Sequence, residues 1–390
     1  MADQPQSSWS VEKYDAHTVE TAPDRWFGRP SLAVRDDGTW VMVYREAPGH
    51  PPSRHSAMHV RFSADAGETW TARNVTLDGA RVEGFPHTHG EPGGNVQLGA
   101  VTRHDGDLLV HVNENSEPFE AWEGCRQLRS TDGGRSWVDE GLVDPDGIEP
   151  EAVLLGQDEA VDPATGALYE GVNERRAGSP AENPPAAGYT DRRSGLVKTR
   201  DGGHSWEYVN NVTDYGDKTG ELGITFVDGD LLALLRVVDD SGTYVRRSPD
   251  AGESWGELRT VDSLGVFQKG RLYTPADVGC DAHGDQWVYT VGREVVDFSP
   301  DYDRGDERRH VKGSQHTAIA ASPDGGETWF EPVQLDEFAW PAPFGDCGYC
   351  DLLTRPDGDH YVATYGGPSF TRAADLVGYF LDEPRQPAPE

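Results

Sequence analysis

Five short segments of the chain repeat one pattern, and a recurring unit of this length leaves few architectures open. They span 63–70 (SADAGETW), 130–137 (STDGGRSW), 199–206 (TRDGGHSW), 248–255 (SPDAGESW) and 322–329 (SPDGGETW). The common form is S/T-x-D-x-G-x-S/T-W. The closing tryptophans, Trp70, Trp137, Trp206, Trp255 and Trp329, lie 67, 69, 49 and 74 residues apart. Such a segment folds as a stapled turn. The Asp carboxylate accepts hydrogen bonds from its own turn, the Gly supplies a positive φ or a close approach, and the Trp fills an apolar slot between neighbouring sheets. The boxes are therefore read as structural, one per sheet.

The pattern resembles the Asp-box, or BNR, repeat of the sialidase superfamily, over essentially the whole chain. Strand-like runs precede each box, for example 31–34, 40–44 and 57–62 in the first unit and 222–227, 231–235 and 243–247 in the fourth. Turn pairs at Asp37-Gly38, Asp228-Gly229 and Asp357-Gly358 join first strands to second. A sixth unit without a box supplies strands at 349–353, 360–365 and 376–381, and the segment from Trp9 to His17 is expected to complete it. That pairing closes a ring and removes its open edge. The expected fold is all-β: a six-bladed β-propeller of four-stranded antiparallel blades, one domain over 1–390 with loose tails at 1–8 and 385–390.

Charge narrows the partners. Asp and Glu number 68 against 34 Lys and Arg, a net charge of −34, and only five basic residues are Lys. Such a chain repels nucleic acid and anionic membranes. The acid is spread evenly, which favours a solvated coat of the halophilic kind over an acidic docking site. No apolar run reaches the ~18 residues of a membrane helix. The N-terminus has no signal-peptide pattern, so a cytoplasmic protein is expected. The four cysteines, Cys125, Cys280, Cys347 and Cys350, are too few for a disulfide scaffold and form no complete zinc set. His87 and His89 share one side of an extended segment but do not make a metal site, and no cofactor is expected; calcium on loop carboxylates stays open.

In a blade of this kind the box turns lie on one face of the ring, and the loops that join strands two and three lie on the other. The second face is where a ligand site belongs. Its loops, including 46–55, 85–91, 113–122, 174–193 and 293–316, are polar and aromatic. The segment Gly348–Leu352 (GYCDL) resembles the Gly-Tyr-Ser-x-Leu segment of sialidases, and Gly220-Glu221 with Arg236 resembles their Glu-to-Arg segment. The resemblance implies Tyr349 as nucleophile, Glu221 as the base that polarises it, and Arg236 as one arginine of a clamp for a substrate carboxylate. A phenol suits a sugar whose anomeric carbon already bears a carboxylate, because it approaches without a second negative charge. Arg29, in FGRPSL, stands one residue away from the family's first clamp arginine. Arg45 and Asp351 join the expected substrate-binding set, as does His316, the polar residue nearest to the position of the third arginine. The loop 49–56 has no Asp to serve as the family's acid/base, so His50, His55 or Glu46 is the expected proton donor.

Three functions follow. The first is a sialidase-like exo-glycosidase acting on a terminal acidic sugar of a glycan. The second is a propeller polysaccharide lyase that removes the proton beside a uronate carboxylate, with the histidines His50, His55, His87, His89 and His316 suited to that task. The third is a glycan-binding propeller without chemistry.

Overall fold

The computed structural model describes residues 9–50, 56–85, 96–115, 122–148, 153–155, 158–175, 192–217, 219–237, 242–274, 287–296, 314–336, 346–368 and 373–382. They form six sheets and one short 3-10 turn, Asp262–Leu264. The first strand, β1 (Lys13–Glu20), belongs to the last sheet. Blade one is β2 (Trp26–Val34), β3 (Trp40–Ala47) and β4 (Ala57–Ser63). Blade two is β5 (Val96–His104), β6 (Asp107–Asn115), β7 (Trp122–Ser130) and β8 (Val138–Leu142). Blade three is β9 (Val153–Leu154) and β10 (Glu159–Val161) on the inside, then β11 (Leu168–Arg175), β12 (Arg192–Thr199) and β13 (Glu207–Asn211). Blade four is β14 (Thr219–Val227), β15 (Asp230–Val237), β16 (Thr243–Ser248) and β17 (Arg259–Thr260). Blade five is β18 (Val266–Tyr273), β19 (Val288–Val296), β20 (Ser314–Ser322) and β21 (Val333–Gln334). Blade six is β22 (Asp346–Cys347) and β23 (Asp351–Thr354), then β24 (His360–Gly367) and β25 (Asp375–Leu381), with β1 outermost. This is the expected six-bladed propeller.

Two details differ from the sequence reading. The closing strand pairs Lys13–Glu20, not 9–17, with β25. Trp9 instead stacks on Phe330 and donates its indole N–H to the Glu331 carbonyl. In blade one the place of a fourth strand is taken by an irregular segment, whose Thr71 and Asn74 amides bond the Phe62 and Val60 carbonyls. The tails expected at 1–8 and 385–390 lie outside the described residues.

The core is divided into apolar layers between adjacent blades. Val41, Val43 and Val60 of blade one meet Val101, Val110 and Val112 of blade two. Leu231, Ala233 and Leu235 face Leu196 of blade three, while Leu232 and Leu234 face Phe267 and Val288 of blade five. A second strand is therefore apolar on both faces because both are packed.

The five boxes fold as expected of their chemistry. In the first, Asp65 accepts the Thr69 amide at 2.9 Å, the Thr69 hydroxyl at 2.6 Å and the Ser63 hydroxyl at 2.8 Å. The glycine has φ +91°, and a Cβ there would stand 3.0 Å from the Tyr361 ring of blade six. In the fifth, Gly326 has φ +93° and a Cβ would meet Leu232 of blade four at 2.5 Å. Each such turn is a wedge against the preceding blade.

Inner strands share another feature. Gly28 pairs with Arg45 and Ser31 with Val43, so three steps on β2 match two on β3. The same bulge occurs at Leu98–Val101, Thr219–Leu222 and Gln268–Arg271. In blade six the break lies between β22 and β23, at Gly348–Cys350. A bulge re-aims the side chain it carries. Among the described residues, no helix is long and apolar enough to cross a membrane.

Candidate functional site

The bulges carry the chemistry. Arg29 sits in the blade-one bulge with φ +53°, a conformation costly for a side-chain residue. This turn lays its guanidinium over the Tyr349 ring, 3.8 Å from the centroid. Glu221 sits in the blade-four bulge, and Tyr349 in the blade-six break. Although 128 residues apart in sequence, they meet: the Tyr349 hydroxyl donates to Glu221 Oε1 at 2.5 Å. Arg236, across the ladder on β15, donates from Nη1 to Glu221 Oε2 at 2.5 Å. One carboxylate is thus shared by a phenol and a guanidinium.

Burial pushes the Tyr349 hydroxyl well above the ordinary phenol range; Arg29 and Arg236 act against this, and the Glu221 charge adds to it. A standing phenolate is therefore disfavoured. The oxygen becomes nucleophilic only as its proton passes to Glu221, the group already in contact.

Behind Tyr349 lies Asp346, 1% exposed. Its Oδ2 accepts the Trp26 indole N–H at 3.0 Å and pairs with His50 Nδ1 at 2.7 Å. Its Oδ1 accepts the Tyr365 hydroxyl at 3.3 Å. The His50 ring lies 5.7 Å from the Tyr349 ring. His50 and Tyr349 are thus neighbours. His55, the other histidine expected to donate a proton, lies outside the described residues, as do His87 and His89. Glu46 is buried in an ion network with Arg25, His59 and Arg73.

The remaining expected substrate ligands have internal partners. Arg45 is fully buried. Its Nη1 donates to the His50 carbonyl at 2.7 Å and its Nη2 to Ser56 Oγ at 2.8 Å. Burial, with Arg29 nearby, pulls its pKa down to about 9. It holds the loop that carries His50. Asp351 lies at the axis, where it accepts the Leu32 amide at 2.7 Å, Arg271 Nη1 at 2.7 Å and the Tyr273 hydroxyl at 2.6 Å. It ties blades one, five and six together beneath Tyr349. His316, on the third strand of blade five, is paired with Asp336 at 2.9 Å.

Sequence reasoning missed Asp346 and Arg293. Arg293 is 3% exposed, donates to Gln315 at 2.6 Å and Gln268 at 2.5 Å, and lies 4.0 Å from Asp346. Gly348 packs on it so closely that a Cβ would fall 2.3 Å from Arg293 Cβ. A signal was present: the Arg-Glu pair 293–294 repeats Arg45-Glu46 at the equivalent ladder position. Cys347 and Cys350, on either side of this turn, are buried thiols. Among the described residues, no three His, Cys, Asp or Glu side chains are grouped to hold a metal ion.

No family model matches the chain. A sialidase of Micromonospora viridifaciens is 25% identical over 284 residues, which is 68% of this chain and 39% of that protein. The chain thus spans about two fifths of the length of that relative. A protein of unknown function from Dyadobacter fermentans superposes with TM-score 0.68 at 16% identity, over 97% of this chain and 100% of that one. A Hadza microbial sialidase, Hz136, gives 0.62 at 18% identity, over 93% and 66%. A Trypanosoma rangeli sialidase in complex with the inhibitor DANA gives 0.60 at 14% identity, over 96% and 59%. These structures are similar in fold.

Proposed function

We propose that this chain is a sialidase-type glycoside hydrolase that releases a terminal acidic sugar from a glycan. The reading is carried by one observation: the Tyr349 hydroxyl donates to Glu221, while Arg29 covers the ring of that tyrosine and Arg236 holds that carboxylate. The sialidase relative and the sialidase structures of the same fold support it. In this scheme Tyr349 attacks the anomeric carbon, Glu221 takes the phenol proton, and the arginines Arg29 and Arg236 bind the carboxylate of the sugar. The substrate class is a 2-keto acid sugar, since a phenol avoids the repulsion that a carboxylate nucleophile would meet.

The histidine beside the tyrosine, His50 with Asp346, favours a second reading. The same groups could remove the proton next to a uronate carboxylate and eliminate rather than hydrolyse.

The test is hydrolysis of a fluorogenic sialoside by the purified protein in multimolar salt, beside Tyr349→Phe and Glu221→Gln. Loss of activity on the order of 10³-fold or more in Tyr349→Phe supports the nucleophile assignment. Absence of activity in folded wild type, with an unsaturated product from a uronate glycan, would overturn the hydrolase reading in favour of the lyase.

A further inference from the structure

We propose that His50 and Asp346 form the proton-donating dyad of this site, His50 protonating the departing glycosidic oxygen and Asp346 acting behind it as a positioning residue. The inference rests on the hydrolase reading above. Five His–carboxylate pairs occur among the described residues: His50–Asp346, His59–Glu46, His104–Asp105, His111–Glu170 and His316–Asp336. Of these, the first has its ring against Tyr349, 5.7 Å between centroids.

The setting of the pair is built, not incidental. Arg45 fixes the His50 backbone through its carbonyl, and Trp26 packs on the imidazole at 5.0 Å between ring centres. Asp346 is fixed in turn by the Trp26 N–H and the Tyr365 hydroxyl. A carboxylate so buried needs a cation or a donor to offset its lost hydration. Besides the Trp26 and Tyr365 donors and Arg293 at 4.0 Å, His50 Nδ1 faces this carboxylate, so the pair fixes the ring beside the nucleophile, and in the imidazolium form its charge is met by Asp346. With Nδ1 directed at Asp346, transfer is assigned to Nε2.

His50 Nε2 gives its proton to the glycosidic oxygen, and the bond from that oxygen to the anomeric carbon breaks with its electron pair, releasing an alcohol. Tyr349 Oη bonds to the anomeric carbon while its proton moves to Glu221. In the second half, neutral His50 takes a proton from water, and the hydroxide oxygen bonds to the anomeric carbon. The bond to Tyr349 breaks, and the phenolate recovers its proton from Glu221. One water is consumed per glycosidic bond.

Activity then falls as pH rises and the imidazolium is lost. Among the described residues, the charged and titratable groups around His50 include Asp346, Tyr349 and Tyr365, with Arg45 on its carbonyl, Arg29 over Tyr349 and Arg293 beside Asp346. Of these, the Asp346 charge touches the ring directly, and a carboxylate in contact favours the protonated imidazole. Asp346→Asn should therefore move the alkaline limb of the kcat/KM profile to lower pH.

The experiment compares wild type, His50→Gln, Asp346→Asn and Tyr349→Phe on two sialosides, one sugar-linked and one with an activated aryl leaving group that departs without protonation. Melting curves confirm that each variant is folded. His50→Gln should lose roughly 10²-fold or more on the sugar-linked substrate and under about tenfold on the aryl one. Equal losses on both substrates, or none, would overturn the dyad while leaving the nucleophile assignment to stand on Tyr349→Phe. If wild type cleaves neither sialoside, the hydrolase reading fails and the dyad falls with it. Should both dyad variants unfold, the wild-type dependence of rate on leaving-group basicity decides: shallow for a donated proton, steep without one.

Discussion

Glu159 shows how much charge the axis of the ring confines. It lies beside Asp158 and Arg271, with Asp351 and Glu170 close by. Burial drives its carboxyl up to about 7; Arg271 opposes that, and the Asp351 and Glu170 charges add to it. Asp158 is likewise raised, chiefly by burial, while accepting the Ile224 and Leu272 amides at 2.8 and 2.9 Å. A carboxyl that is more basic folded than unfolded binds its proton more tightly in the native state. Its contribution is complete below about pH 4.5 and disappears as the pH rises through about 7. Glu159→Gln should therefore resist alkaline loss, and at pH 8 exceed wild type by up to about 3 kcal/mol in unfolding free energy. Denaturant melts at pH 4.5 and 8 check this, and a variant less stable than wild type at pH 8 would contradict it.

The elements of the fold divide into wedges and bulges. The box glycines are wedges, held by backbone conformation and by the neighbouring blade together. Gly326→Ala meets both penalties, φ +93° and a Cβ 2.5 Å from Leu232, whereas Gly38→Ala meets only its φ of +80° with open space around it. The first should cost about 2–4 kcal/mol and the second about 1, read from chemical denaturation. Equal effects would show that the wedge contributes nothing. The wedges were legible in the sequence because Asp, Gly and Trp must recur at fixed offsets for the turn to close. The bulges were not, because an extra residue in a strand has no required residue type: Arg29-Pro30, Gly99-Ala100, Gly220-Glu221 and Lys269-Gly270 occupy the same register break. For that reason the motif for Tyr349 and Glu221 could be recognised while the position of Arg29 depended on a register only the structure supplies. Asp346 was illegible for a different reason. Its partners, Trp26, His50 and Tyr365, come from both ends of the chain and converge only once the ring closes. Arg45 and Asp351 were expected as substrate ligands, but burial gives them internal partners.

As a whole the molecule is a ring of apolar layers inside a strongly acidic chain, and the two act oppositely. The layers hold the blades together, while a net charge of −34 pushes the surface apart. Salt shortens the reach of that repulsion from about 10 Å at 0.1 M to about 3 Å at 1 M. The melting temperature should rise by several degrees or more between about 0.1 M and about 3 M KCl, where an ordinary protein of balanced charge changes little; a flat curve would speak against a salt-adapted coat. The closure of the ring has one more consequence. Blade six takes its outermost strand, β1, from the beginning of the chain and its neighbour, β25, from the end. In synthesis β1 precedes every other described strand and can pair only once β25, the last of them, has been made. The closing pair thus forms last among the described strands, and a circular permutant of the propeller opened at an exposed hairpin turn would shorten that wait by making β25 and β1 neighbours in sequence.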